Sequence, residues 1–159
     1  ENPLIQFWTQ VQCKYNIPIL SLAAFYILKE CNRINRDRVL FSSRDCYFLH
    51  KIFDGVRTDF QTVTSSYFYT SRLARLSKSE DYARYVRSCL SGKPFIVDLC
   101  GTGWSINAML DNVGVSAPYL LLHDLSDNEI TKDFLNIRNV SKSRAVLYVQ
   151  GIKGRQYFH

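Results

Sequence analysis

The chain has 159 residues, of which 47% are apolar and 21% are charged, a composition typical of one folded domain that excludes a mainly disordered chain. Its net charge of +6 favours anionic partners such as phosphates or acidic glycans. The sequence has no long Lys/Arg run of the kind that marks a nucleic-acid tail and no apolar run of about 18 residues, so we expect neither a nucleic-acid partner nor a membrane span.

The five cysteines are an odd number at wide spacing, which does not predict a disulfide framework. No pair has Cys-x-x-Cys spacing, so they do not indicate a zinc site either. We expect free thiols in a reducing compartment, and therefore a cytoplasmic location. The chain begins with Glu1 and shows no signal peptide, so we expect residues 1–159 to be a single α/β domain taken from a longer chain.

Hydrophobic periodicity predicts helices and strands that alternate along the chain. A first helix is expected over residues 3–15, ended by Asn16, and the other helices over 18–32, 46–53, from the capping box Ser77-x-x-Glu80 to about 90, and 106–111. Strands are expected over 38–42, 62–70, 94–99, 118–123 and 145–150, while 124–142 are polar with a weak helical pattern. This alternation predicts βαβ units, and so an α/β fold with a mostly parallel sheet flanked by helices.

The most informative segment runs from the strand at 94–99 into the loop that follows it. The strand ends in Asp98, and the loop Gly101-Thr102-Gly103-Trp104-Ser105 leads into a helix. Glycines allow backbone N–H groups to turn towards a ligand, and the helix N-terminus favours negative charge. Because ligands bind outside the carboxyl ends of strands in open α/β sheets, this loop predicts a phosphate site, with Asp98 available for sugar hydroxyls.

Two other predicted strands also end in residues that suit anions. Ser42-Ser43-Arg44-Asp45 follows the first strand: Arg44 can contact phosphate oxygens in a bidentate manner, and Asp45 can bind a divalent metal or act as a base. Thr70-Ser71-Arg72 follows the second strand, with Arg75 close behind. Each loop alone could be a capped helix start or a solvated basic loop, but a parallel sheet would place all three at one edge.

The same segments resemble a known family. A strand with Asp98 followed by Thr102-Gly103-Trp104-Ser105 resembles the phosphoribosyl diphosphate signature of type I phosphoribosyltransferases. Residues 40–49, 67–72 and 97–103 are similar to three blocks of the glycan phosphoribosyltransferases of bacterial polysaccharide biosynthesis, in which a haloacid-dehalogenase-type phosphatase domain often accompanies the transferase. The resemblance covers roughly residues 17–125 and implies a phosphoribosyltransferase-like fold.

The resemblance also implies a role for each site residue. Gly101, Thr102, Gly103 and Ser105 would hold the 5′-phosphate and Asp98 the ribose hydroxyls of phosphoribosyl diphosphate. Ser43, Arg44 and Asp45 would bind the pyrophosphate with Mg²⁺ on Asp45, and Ser71 and Arg72 would add polar contacts and charge. Arg44 and Asp45 would be the catalytic residues, with Asp45 as general base, in transfer of phosphoribosyl to a glycan hydroxyl with release of pyrophosphate.

Two other functions fit the same residues. The segment 98–103 resembles the Asp-x-Gly-x-Gly-x-Gly loop of methyltransferases that use S-adenosylmethionine, and Asp124 lies about 20 residues downstream, where that family has an acid at the end of the next strand. Alternatively, the domain keeps the fold without catalysis and binds a nucleotide, RNA or a protein partner. Binding of S-adenosylmethionine, or binding of phosphoribosyl diphosphate without turnover, would distinguish these alternatives from the transferase.

Overall fold

The computed structural model describes residues 2–57 and 62–124, together with the backbone of residues 134–138. Among these residues, helices and strands alternate as expected for an α/β fold. The helices are α1 (Pro3–Val11), α2 (Ile17–Arg33), α3 (Tyr47–Val56), α4 (Arg72–Arg75), α5 (Glu80–Cys89) and α6 (Trp104–Val113). The strands are β1 (Arg38–Ser42), β2 (Thr64–Phe68), β3 (Pro94–Gly101), β4 (Tyr119–Asp124) and β5 (Phe134–Arg138).

The five strands form one sheet in the order β2-β1-β3-β4-β5. Strands β1 to β4 are all parallel, with Phe41 opposite both Tyr67 of β2 and Val97 of β3. Strand β5 pairs with β4 in the antiparallel direction. Chain order runs outwards from β1 to β2 and then returns to β3 on the other side of β1. The gap beyond the carboxyl ends of β1 and β3 is therefore a topological switch point, where ligands bind in open α/β sheets.

The two faces of the sheet carry separate hydrophobic cores, because successive strand residues point to opposite faces. In β3, Phe95 and Val97 pack against α2 and α3, whereas Ile96 packs on the other face against α5 and α6. All of these side chains are almost fully buried. A strand buried on both faces needs a continuous apolar run, and residues 95–97 supply it. Helices therefore cover both faces of the sheet, and the loops that follow the strands at its carboxyl edge are available to form a site.

The first helix continues past Asn16, where the sequence predicts its end. Residues Gln12–Asn16 form a π-helical turn that joins α1 to α2, and the amide of Ile17 bonds to the carbonyl of Gln12, five residues back. Pro18 has no N–H to donate, so the wider turn lies where an ordinary helical hydrogen bond would be lost.

The continuous helix Pro3–Arg33 is long and apolar enough to cross a membrane, by length and composition. Its most apolar 18-residue window has a mean hydropathy of 1.2, and 22% of that window is buried against the rest of the chain. Core helices and signal sequences meet the same criterion, so this property does not by itself place the chain in a membrane.

Two further expectations differ from the structure. Helix α5 begins at Glu80 with Ser79 at its N-cap, and the hydroxyl of Ser77 accepts a hydrogen bond from the amide of Ser79 instead of capping the helix. Strand β5 lies within the polar range that we expected to be weakly helical. Its pairing to β4 overrides local propensity, as sheet context commonly does. The strand expected at 145–150 falls outside the described residues.

Candidate functional site

A polar cleft of about 390 Å³ lies at the carboxyl edge of the sheet, at the switch point between β1 and β3. The loops that follow β1 and β3 and the start of α4 form its walls. The residues that line it are Ser43, Asp45, Arg72, Arg75, Asp98, Cys100, Gly101, Thr102, Gly103, Trp104 and Ser105. The parallel sheet therefore brings together side chains from three segments that are far apart in the sequence.

Eight of the ten site residues predicted from the sequence line this cleft, namely Ser43, Asp45, Arg72, Asp98, Gly101, Thr102, Gly103 and Ser105. The other two, Arg44 and Ser71, do not. The side chain of Arg44 is 95% exposed, and its Nε lies 3.4 Å from Oδ1 of Asp45. Ser71 is the N-cap of α4, where its hydroxyl accepts a 3.1 Å hydrogen bond from the amide of Ala74. Its position therefore has a structural explanation that requires no ligand.

The floor of the cleft contains an ion pair between Arg75 and Asp98. Nη1 of Arg75 donates to Oδ2 of Asp98 at 2.7 Å, and the two side chains are 9% and 12% exposed. Arg75 also donates to the hydroxyls of Ser105 at 3.2 Å and Thr70 at 3.3 Å. Arg75 thus links the end of β3, the start of α6 and the segment after β2. A buried arginine of this kind needs such partners, because an unpaired charge would be strongly disfavoured there.

The loop after β3 depends on Gly103 more than on Gly101. Gly103 has a φ of +76°, and a Cβ atom there would lie 2.5 Å from Oη of Tyr119. Glycine is therefore required at this position for both conformation and space. At Gly101 the φ is negative, and the nearest atom to a Cβ would be the amide nitrogen of Gly103 at 3.9 Å. We expected both glycines to be needed for the turn, and the structure gives this role to Gly103 alone.

The N-terminus of α6 opens directly onto the cleft. Gly103 is the N-cap of this ten-residue helix, and the amide of Trp104 donates to Oγ1 of Thr102 at 3.4 Å. The first N–H groups of a helix have no partner within it, and the helix dipole adds a partial positive charge. Arg72 and Arg75 line the cleft as well. The site is therefore suited to an anion of the size of a phosphate group.

The loop after β1 is fastened to the end of β2 by Ser43. Its hydroxyl donates to the carbonyl of Thr70 at 2.5 Å and accepts from the amide of Thr70 at 2.8 Å. Its own amide donates to the carbonyl of Phe68 at 2.9 Å. The peptide bond between Ser43 and Arg44 is cis. Beyond it, Cys46 is fully buried and its Sγ donates to the carbonyl of Val97, so its side chain stays out of the cleft.

Asp45 is the exposed carboxylate of the cleft, with 60% of its side chain accessible to solvent. The described part of the chain has no cluster of three or more His, Cys, Asp or Glu side chains that could form a complete metal site. Mg²⁺ commonly uses only one or two carboxylates together with water and substrate phosphates. Asp45 is therefore suited to be the one protein carboxylate of a metal whose other ligands are water and phosphate oxygens.

Sequence patterns did not assign Arg75 to the site, although it has the most polar partners there. Arg75 lies three residues after Arg72 in a basic segment. Such a segment is usually exposed, so the sequence alone does not indicate that Arg75 is buried. Asp124, the acid that a methyltransferase loop would require, does end the strand next to β3, opposite Gly101. It is 3% exposed and does not line the cleft. Arg72 and Arg75 therefore line the cleft, whereas the second acid, Asp124, does not.

No family model matches the chain, and comparisons with curated proteins and with solved structures found no match.

Proposed function

We propose that the chain is a phosphoribosyltransferase that transfers 5-phosphoribosyl from phosphoribosyl diphosphate to a glycan hydroxyl. The observation that carries this proposal is the cleft at the β1/β3 switch point, where a helix N-terminus, two arginines and an exposed carboxylate converge. A sugar with a phosphate at one end and a pyrophosphate at the other has the charge distribution that this arrangement can accommodate.

The 5′-phosphate fits the loop after β3. The helix N-terminus at Gly103 and the hydroxyls of Thr102 and Ser105 supply donors to one phosphate group. The Ser105 hydroxyl is oriented by the hydrogen bond from Arg75. The described residues therefore provide a cradle in which most contacts come from backbone and hydroxyl groups, which bind phosphate without carrying a full charge.

The pyrophosphate fits the opposite wall, formed by the loop after β1 and the start of α4. Arg72 lies on this wall. The side chain of Arg44 is 95% exposed and could turn towards a ligand by leaving its 3.4 Å contact with Asp45. Asp45 would hold the Mg²⁺, which neutralises the charge that builds on the leaving pyrophosphate. Because Asp45 is the exposed carboxylate of the cleft, the role of general base also falls to it.

Asp98 has protein partners in addition to the ribose contact that the resemblance implies. One of its oxygens accepts from Arg75, and the other accepts from the amide of Leu99 at 3.1 Å. A carboxylate oxygen has two lone pairs, so a ribose hydroxyl could still donate to Asp98. In the proposed complex Asp98 would also hold Arg75 at the floor of the cleft, through the contact between Nη1 and Oδ2.

In the proposed reaction the oxygen of an acceptor hydroxyl bonds to the anomeric carbon of the ribose. The bond from that carbon to the pyrophosphate oxygen breaks, and the pyrophosphate leaves with the electron pair. The hydroxyl proton passes to Asp45 or to water. Arginines placed around the leaving group stabilise its developing charge, which is the largest contribution expected from this chain. A separate phosphatase domain of the haloacid-dehalogenase type would then remove the 5′-phosphate.

The test is an assay for pyrophosphate release with phosphoribosyl diphosphate, Mg²⁺ and a mixture of neutral and acidic oligosaccharides. We expect release that depends on the oligosaccharide and that falls by roughly 100-fold or more in Asp45→Asn. Asp81→Asn is the matched control, because Asp81 is an exposed aspartate of α5 outside the cleft. Binding of phosphoribosyl diphosphate without any release would favour the non-catalytic alternative, and methyl transfer from S-adenosylmethionine would favour the methyltransferase.

A further inference from the structure

Three exposed aromatic side chains stand at the carboxyl edge of the sheet, one after each of three parallel strands. Tyr47 follows β1 and is 48% exposed, Tyr69 follows β2 and is 70% exposed, and Trp104 follows β3 and is 62% exposed. We refer to these three residues as the aromatic rim. Exposed apolar groups that are bordered by polar residues commonly mark ligand-binding grooves or partner surfaces.

The aromatic rim adjoins the cleft. Trp104 lines the cleft itself. Tyr47 and Tyr69 both contact the ring of Tyr67. The hydroxyl of Tyr67 donates to the carbonyl of Arg44, which lies between two lining residues, Ser43 and Asp45. A molecule that stacks on the rim would therefore place its nearest groups at the mouth of the site.

Two of the rim residues rest on a rigid aromatic support. Tyr67 makes edge contacts with both Tyr47 and Tyr69, at centroid distances of 6.0 and 5.4 Å and interplanar angles of 89°. Tyr67 is itself stacked on His50, which is stacked on the fully buried Phe41. This column runs from the core to the surface, so the rings of Tyr47 and Tyr69 have packing partners before a ligand arrives.

Such preorganisation lowers the entropy that binding would cost. The column is also joined to the loop after β1, because the hydroxyl of Tyr67 donates to the carbonyl of Arg44 at 3.2 Å.

We infer that the aromatic rim is the acceptor subsite, and that it binds the sugar rings of a glycan by stacking. This inference rests on the proposed function and names the substrate that the second half of the site would take. Sugar rings present C–H groups on their faces and hydroxyls at their edges, which suits separated tyrosine and tryptophan rings with polar tips. The polar lining of the adjoining cleft supplies hydrogen-bonding groups for the sugar hydroxyls.

The test uses Trp104 as a fluorescent reporter. The chain has two tryptophans, so a Trp8→Phe variant leaves Trp104 alone at the rim, and a Trp104→Phe variant leaves Trp8 on α1. Each is titrated with pentasaccharides of glucose and of N-acetylglucosamine, in the presence of phosphoribosyl diphosphate and Mg²⁺. We expect the emission of Trp8→Phe to change with at least one sugar, and the emission of Trp104→Phe to stay constant.

A second pair of variants separates stacking from a general effect on the fold. Tyr69→Ala in the Trp8→Phe background should weaken sugar binding by about tenfold. Leu22→Ala, which removes an exposed apolar side chain of α2 outside the rim and the cleft, should leave sugar binding unchanged. Both should bind phosphoribosyl diphosphate as the parent does.

Failure of this inference and failure of the proposed function have different signatures. Binding of phosphoribosyl diphosphate with no response of Trp104 to either sugar would overturn the acceptor subsite alone. Equal sugar binding by Tyr69→Ala and its parent would do the same. Absence of phosphoribosyl diphosphate binding would overturn the function on which the inference rests.

Discussion

Nη1 of Arg75 lies 2.7 Å from Oδ2 of Asp98, and both side chains are nearly inaccessible to solvent. This pair joins the end of β3 to the helix that follows β2, beneath the cleft. Breaking such a pair leaves an uncompensated charge, whereas replacing both members removes the charge altogether. The pair therefore has a structural role that can be separated from ligand binding.

We predict that Arg75→Met and Asp98→Leu each destabilise the chain by about 3 to 5 kcal/mol, because each leaves a buried charge unpaired. The double variant should be destabilised by clearly less than the sum of the two. Urea unfolding of the four proteins measures the coupling. Additive losses would show that the two side chains do not interact in the folded state. Arg84→Met, at an exposed pair of α5, should change stability little.

The two glycines of the loop after β3 should respond differently to the same substitution. Gly103→Ala should destabilise by more than 1 kcal/mol, because the residue has a positive φ and its Cβ would overlap Tyr119. Gly101→Ala should be close to neutral, since its backbone is extended and the space beside it is open. Thermal unfolding of both variants tests this difference. A destabilisation of Gly101→Ala as large as that of Gly103→Ala would contradict the loop geometry described above.

Much of this architecture could be predicted from the sequence. Apolar runs such as residues 95–97 identify strands buried on both faces, and four of the five expected strands correspond to β1, β2, β3 and β4. Parallel pairing alone predicts that the three loops converge at one edge of the sheet. The strand order could not be predicted, because a local pattern contains no information about which strands become neighbours. Yet the order places the switch point, and therefore the cleft, between β1 and β3.

The burial of Arg75 could not be predicted for a similar reason. In the sequence it is one of several basic residues after β2, and only the packing of α4 near α6 turns it towards Asp98. Asp98 was expected to bind the ribose hydroxyls, and no pattern around it indicated that it would also accept a hydrogen bond from Arg75. An ion pair between residues of two different segments, such as Arg75 and Asp98, cannot be predicted from the pattern within either segment.

The alkylation rates of the exposed thiols can report whether a ligand occupies the cleft. Cys100 is exposed and lines the cleft, whereas Cys13 is exposed on the turn between α1 and α2. We predict that phosphoribosyl diphosphate with Mg²⁺ slows the alkylation of Cys100 and leaves the alkylation of Cys13 unchanged. Peptide mass spectrometry of the alkylated chain resolves the two thiols. Equal rates at Cys100 with and without the ligand would place the ligand elsewhere.

Two other thiols should stay unreactive until the chain unfolds. Burial raises the pKa of Cys31 to about 12, and burial raises the pKa of Cys46 well above its usual value. At neutral pH both groups therefore remain protonated and shielded, and they serve as internal controls for a folded protein in the alkylation experiment.

His50 should make stability depend on pH. Burial lowers its pKa from 6.5, and this effect outweighs the attraction of Asp54, which raises it. The unfolded chain then binds the proton more tightly than the folded chain does. The stability associated with neutral His50 is present above pH 6.5 and is lost as the pH falls through the lower pKa of the folded state. Urea unfolding of wild type and His50→Gln at about pH 5.5 and 7.5 measures how the free energy of unfolding of each protein changes with pH. Identical pH dependence in both proteins would exclude His50 as the cause.

Titration calorimetry in the presence of Mg²⁺ measures whether the cleft binds phosphoribosyl diphosphate. S-adenosylmethionine is titrated in parallel, and Arg72→Ala is compared with Arg84→Ala, which removes an exposed arginine outside the cleft. We predict micromolar binding of phosphoribosyl diphosphate that Arg72→Ala weakens by roughly tenfold or more and Arg84→Ala leaves unchanged. Binding of S-adenosylmethionine in its place, or no heat of binding from phosphoribosyl diphosphate, would contradict the account.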